Sequence, residues 1–254
     1  MNISPPLLAR LGLIAVVLRQ CLAHFGAVLM ARERLDLPAF AEQTREVGLS
    51  VLPLMTFVAV ALGLILGIQT GVILEQINAP ELLLGAVGVA VLEEFAPLLV
   101  GFFVAARGGV ALAVRIGAMR QSQEFDGLIV SGVHPLPFLV VPALLAMLWM
   151  SFAFAVWTNC VVLGAMGAWL SLSEHIPLAL FRDSLADSVE VGDLALSALK
   201  PLLFAVLVAL IAASNGIWTE QEPEGVARAA TRTMVGAIAA ILVADLLFLV
   251  PPWG

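Results

Sequence analysis

The chain has 254 residues, 61% of them hydrophobic, and carries 12 basic and 19 acidic side chains for a net charge of −7. Its charged share of 12% is half the roughly 25% of ordinary soluble domains, too little to cover a water-soluble fold of this length. A disordered chain is excluded by the same composition, a disulfide scaffold by the two cysteines, and what remains is an all-α integral membrane protein with several spans.

The N-terminal stretch 5–34 is apolar but broken by Arg10, Arg19, Gln20 and His24. Leu7, Leu11, Leu18, Leu22, Phe25 and Leu29 recur on one side at helical spacing, which predicts a helix lying in the membrane interface. A secretory signal is the weaker alternative, since a clean apolar centre and a small-residue cleavage site are missing. Val47 to Leu74 is a charge-free run of 28 residues, longer than the roughly 20 that a span needs. Within it Gly63, Gly67 and Gly71 repeat every fourth residue, a stripe that lets another helix approach closely, either inside the chain or at a subunit interface.

A second span is predicted over 82–106, interrupted only by Glu93 and Glu94. A charge at mid-membrane costs roughly 2.5–3.5 kcal/mol on insertion scales, so such residues face a partner, a cavity or water. Adjacent helical residues point about 100° apart, which gives the two acids different surroundings. Pro97 follows, where a missing N–H frees a backbone carbonyl. An ion pair within the bundle and a polar cavity wall both fit. Gly108 and Gly109 are expected to end this helix. Beyond them Met119, Arg120, Gln123, Glu124, Phe125, Asp126 and Leu128 mix apolar and charged character, predicting a short half-buried helix over 118–130 suited to docking a soluble motor.

Pro135 to Ser173 is a charge-free run of 39 residues, long for one upright span and short for two. Pro135, Pro137 and Pro142 predict an irregular entry followed by one long tilted helix over 138–171. The fourth span, 194–217, holds only Lys200, and the fifth, 230–250, holds only Asp245. Asp245 lies six residues before Pro251, so burial and the outer interface are equally open to it. Five spans result, with six as the minority count, in a single domain without internal repeats.

Arg10, Arg19, Arg32, Arg34 and Arg45 precede the first span; Arg107, Arg115 and Arg120 follow the second; Arg228 and Arg232 follow the fourth. The other two connections hold Arg182 alone among basic residues. This alternation predicts a cytoplasmic N-terminus and an extracytoplasmic C-terminus in the cytoplasmic (inner) membrane.

Lys200 is the one lysine and no glycine-rich loop precedes it, so a phosphate-binding P-loop is absent and the chain is not expected to be a standard ATPase itself. Metal-ligand spacing and hydrolase motifs are also missing. No metal or cofactor is expected in this chain, and nucleic-acid binding has no support.

The ordered stretches Leu92-Glu93-Glu94-Phe95-Ala96-Pro97, Ala106-Arg107-Gly108-Gly109, Ile116-Gly117-Ala118-Met119-Arg120 and His134-Pro135 resemble the signature of the MlaE-type permease family, the membrane subunits of MCE-associated ABC transporters that move phospholipids. Gly63 to Gln69 and Glu224 to Arg232 resemble the family as well, so the likeness runs over about 5–250. It implies a dimer of permeases, an ABC ATPase below that carries the ATP and magnesium, and an MCE-domain protein above. A small cytoplasmic regulator is left open. By the same resemblance Glu94 matches the acid of an E-x-G-P-like motif near a lipid cavity, Arg107 matches the arginine that closes the second span, and 118–130 matches the helix that couples to the ATPase; Glu93, Glu94 and Arg107 are the candidates for the lipid cavity. Arg115, the Gln123-Glu124 order, His134, Ala143 and Ala96 depart from the family pattern, several of them around the coupling region. Two other classes compete: an ion- or proton-coupled carrier using Glu93, Glu94 and Asp245, and a non-transporting assembly subunit.

Overall fold

The computed structural model describes residues 44–76, 80–132, 135–220 and 224–249, together with Arg19, Ala41, Glu42 and Glu222. The predicted interfacial helix over 5–34 therefore lies, Arg19 apart, outside the described residues, as do Cys21, His24 and His134.

The helices are α1 (Leu52–Leu74), α2 (Pro80–Gln121), α3 (Glu124–Val130), α4 (Pro135–Ser173), α5 (Leu178–Ser188), α6 (Val191–Ile217) and α7 (Gly225–Leu249). Among the described residues, α1, α2, α4, α6 and α7 are long and apolar enough to cross a membrane, the count expected from the sequence. One end of the bundle carries α5 and the other carries α3. The central position belongs to α6, which packs on α4, α2 and α7. Its buried face runs from Ser197 to Gly216.

Two boundaries differ from expectation. Gly108 and Gly109 do not end the second span. They sit in a π-helical turn, Val104–Gly109, and α2 continues to Gln121. The reason is packing: a Cβ on Gly109 would lie 2.6 Å from Val208 of α6, so the glycine serves helix approach and not helix termination. At 42 residues and 1.5 Å each, α2 is about 63 Å long, twice the roughly 30 Å hydrocarbon core, and projects beyond it. The segment predicted as one helix over 118–130 is consequently divided. Residues 118–121 finish α2, Gln123 turns the chain in a left-handed conformation (φ 62°), and α3 begins at Glu124.

The expected irregular entry to α4 is also absent, because Pro135 and Pro137 occupy the first turn, where a backbone N–H has no helical partner. Pro142 lies inside the helix and removes a single hydrogen bond without ending it. The connection between the third and fourth spans contains a helix not expected from the sequence, α5. It buries Phe181 and Ser184 and seats against the start of α2, where a Cβ on Gly85 would meet Ser188 and one on Gly88 would meet Leu185, each at 1.9 Å.

The stripe Gly63, Gly67, Gly71 faces α4 of the same chain. A Cβ on Gly63 would lie 2.4 Å from the Val162 carbonyl oxygen, and one on Gly67 would lie 3.2 Å from Trp169. Trp157 donates its indole N–H to Thr56 at 2.9 Å on the same contact. Gly164, by contrast, has open space where its Cβ would be. Gly63→Ala should thus destabilise the protein by roughly 1–3 kcal/mol, the range for overpacking, while Gly164→Ala should be neutral or mildly stabilising. Thermal unfolding of the two variants in detergent checks the contrast.

Candidate functional site

Three spans each carry ionisable residues at the α5 half of the bundle, and folding brings them together. Lys200 is 3% exposed. Its ammonium donates to Glu94 Oε1 at 2.9 Å and to the Glu93 backbone carbonyl at 2.7 Å, and pairs with Asp245 Oδ1 at 3.1 Å. An ammonium has three N–H donors; two are taken by these hydrogen bonds, and Asp245 adds an ion pair. The Phe248 ring stands 5.7 Å away, adding a cation–π contact.

Local structure explains why the acceptors are in place. Pro97 has no N–H to give the carbonyl four residues back, which is that of Glu93. The same stretch forms a π-helical turn, Val91–Phe95, of the kind that recurs at functional sites. The freed carbonyl and the Glu94 side chain then both face Lys200. Glu93, about 100° round the helix, lies instead beside Asp193 of α6. Asp193 also accepts the Glu190 backbone N–H at 2.8 Å, closing a capping box at the start of α6. Asp245, open between burial and the interface in the sequence, is 7% exposed. The ion pair within the bundle, one of the two readings given to Glu94, is present. Glu94 nevertheless keeps a side-chain exposure of 28%.

Arg107 does not join this cluster. It lies 13 residues further along α2, about 20 Å at helical rise, exposed in the second π-helical turn.

The α3 end forms a second polar assembly. Gln121 donates to the carbonyls of Glu220 and Glu222 at 3.3 and 2.7 Å. Arg228 pairs with Glu220 at 3.1 Å and with Glu222, and Arg232 stands 3.6 Å from Glu220. Such exposed pairs are individually weak; they link the start of α7 to the α6–α7 connection, and the Gln121 bonds tie the end of α2 to that same connection. On α3, Phe125 is buried in the chain's own core, with the Arg120 guanidinium 5.6 Å from its ring centroid, and Met119 packs against the same core. Phe125 therefore presents no free docking surface. Exposed residues of this hairpin include Gln123, Glu124, Asp126, Ile129 and Val130, with Leu128 half-buried.

Lys200, not among the residues expected at the site from the sequence, is the centre of the cluster. A signal was available: one cation in the fourth span against acids in the second and fifth, each too costly to leave unpaired.

Residues 40–250 match the family model described as Permease MlaE. The chain belongs to this permease family. It is 27% identical to a probable ABC transporter permease protein of Synechocystis over 80% of this chain and 78% of the relative. It is 26% identical to the intermembrane phospholipid transport system permease protein MlaE of Haemophilus influenzae over 87% and 85%. A chloroplastic Arabidopsis protein, TRIGALACTOSYLDIACYLGLYCEROL 1, is 28% identical over 63% and 46%.

Removing one partner of a buried ionic group leaves the others uncompensated, at roughly 3–5 kcal/mol. Lys200→Met should therefore destabilise strongly, and the triple variant Lys200→Met, Glu94→Gln, Asp245→Asn should recover most of the loss. Unfolding midpoints in one detergent measure both steps.

Proposed function

We propose that this chain is the membrane subunit of an ABC transporter that moves phospholipid, supplying the lipid path while a separate ATPase binds ATP and magnesium. Membership of the permease family supports the role, and the name carried by the Haemophilus relative supports the cargo. The observation that carries the reading is the course of α2. This one helix holds Glu94 in the charged cluster within the membrane and ends at the α3 hairpin outside it. A site for head-group charge and a site for a motor are thereby joined by a continuous rod.

The distribution of basic residues supports a cytoplasmic α3 end and an α5 end outside, in the inner membrane. A second permease copy completes the lipid cavity, an MCE-domain protein meets the α5 end, and the ABC ATPase meets α3. A small cytoplasmic regulator belongs to the same side. Glu94 has one side against Lys200 and another open, which suits a group that meets a lipid head group while remaining tethered. Ile129 and Val130, 56% and 89% exposed, give the ATPase an apolar contact beside the acidic pair Glu124 and Asp126.

ATP-driven transfer of a fluorescent phospholipid in proteoliposomes of the whole complex tests the path. Glu94→Gln should slow transfer by roughly tenfold or more, since it removes a charge held within the membrane, with the ATPase still co-purifying. Unaltered transfer would remove Glu94 from the mechanism. For docking, Ile129→Asp should release the ATPase, because it buries an unpaired charge at the interface. Co-elution at the native ratio would place the ATPase elsewhere.

A further inference from the structure

A recess of about 560 Å³ opens on the side of the bundle between α4, α5 and α6, separate from the Lys200 cluster. Its size falls within the roughly 300–1,000 Å³ typical of small-molecule sites. One wall is the stripe Phe152, Val156 and Cys160 of α4, all exposed to the outside of the bundle. The opposite wall is Leu194 and Ala198 of α6, and Leu185 and Val189 close it on the α5 side. Asn159 donates to Ser197 Oγ at 2.6 Å, linking the α4 and α6 walls.

Depth and length identify the occupant. From Phe152 to Leu163 the recess follows eleven residues of α4, about 16 Å at helical rise. That is close to half of the roughly 30 Å hydrocarbon core, the depth of one leaflet. Apolar walls do not retain water, and at this level of the bundle the neighbouring medium is lipid tails. A chain seated there is enclosed by three helices and by Leu92 of α2, not merely laid against a helix face.

We infer that this groove binds one acyl chain of a membrane phospholipid from the leaflet on the α5 side. The inference uses the membrane placement of the helices and is independent of which cargo the transporter moves. Leu92 precedes Glu93, and Ser197 is one helical turn before Lys200, so the seated chain contacts the two helices that carry the charged cluster.

The test uses the full chain in phosphatidylcholine nanodiscs containing a few per cent of a phosphatidylcholine with a diazirine midway along one acyl chain. After irradiation, adducts are mapped by mass spectrometry. Adducts on 152–163 should exceed those on the exposed α7 surface at 242–249 severalfold. Ala198→Phe, which fills the groove, should reduce them to the α7 level. If Ala198→Phe does not fold, the same filling is achieved on the folded Cys21→Ser protein by coupling benzyl methanethiosulfonate to Cys160, an exposed thiol. Equal adducts on the two surfaces, or groove adducts that persist after filling, would overturn the inference and leave only lipid surrounding the bundle. Transport is not the readout, so the result stands apart from the permease assignment.

Discussion

An ammonium group buried among membrane-spanning helices has to be satisfied by the protein, and the arrangement of this bundle follows from how Lys200 is satisfied. Its partners come from two other helices: a carboxylate and a backbone carbonyl of α2 accept its hydrogen bonds, and a carboxylate of α7 pairs with its charge. Water offers no ready substitute at that depth, so sliding α6 by one residue against either neighbour exposes a charge to the hydrocarbon. The cluster therefore sets the register of three of the five spans. It also gives Pro97 and the π-helical turn a purpose, since a regular helix holds its carbonyls in its own ladder and leaves Lys200 one acceptor short.

Around this point, the helices come together by shape. Lipid tails are as apolar as leucine, so burying leucine between helices gains little, and close packing at small residues carries more of the association. Gly63 admits Val162 of α4, Gly85 and Gly88 admit α5, and Gly117 admits Thr219 of the α6–α7 connection. Each is a place where a methyl group would collide. The long apolar side chains point the other way: Leu242, Leu246 and Leu247 of α7 and Leu54, Phe57 and Ile65 of α1 are exposed. A soluble protein inverts this distribution.

Much of this was legible in the residues. Spans read well because crossing a membrane imposes a length and an absence of charge that composition reveals directly. Pro97 and the mid-span acids also pointed to the right segment of α2. Three features read poorly, each for a physical reason. Gly108 and Gly109 carry the local signature of a helix break, yet Gly109 is what α6 needs in order to approach, and packing outweighed propensity. Phe125 has the amphipathic spacing of a docking residue, but Arg120 and the core beneath it claim the ring. Lys200 and Asp245 are 45 residues apart in sequence, and only the antiparallel return of α7 along α6 makes them neighbours; charge balance across spans hints at the pairing, periodicity does not.

The same charge arrangement bears on how the two ends of the molecule communicate. Seated under α5 at its start, α2 passes Glu94 and ends at the turn before α3, without a break in its helical course. Its contacts with α6 extend along much of that course, from the charged cluster through Gly109 and Val208 to the pairing of Ile116 with Gly216. A push on α3 is thus delivered to α2 and α6 as a unit, because parting them opens packed surface along several turns. α7 joins the same unit. Ala229, Thr233, Ala237, Ile241 and Asp245 form its buried stripe, Ile241 reaches Gly101 of α2, and near the α5 end both Asp245 and Phe248 meet Lys200. The charged cluster thus fixes the register of α2, α6 and α7 at one level of the bundle, while small-residue packing carries that register along the rest of their length.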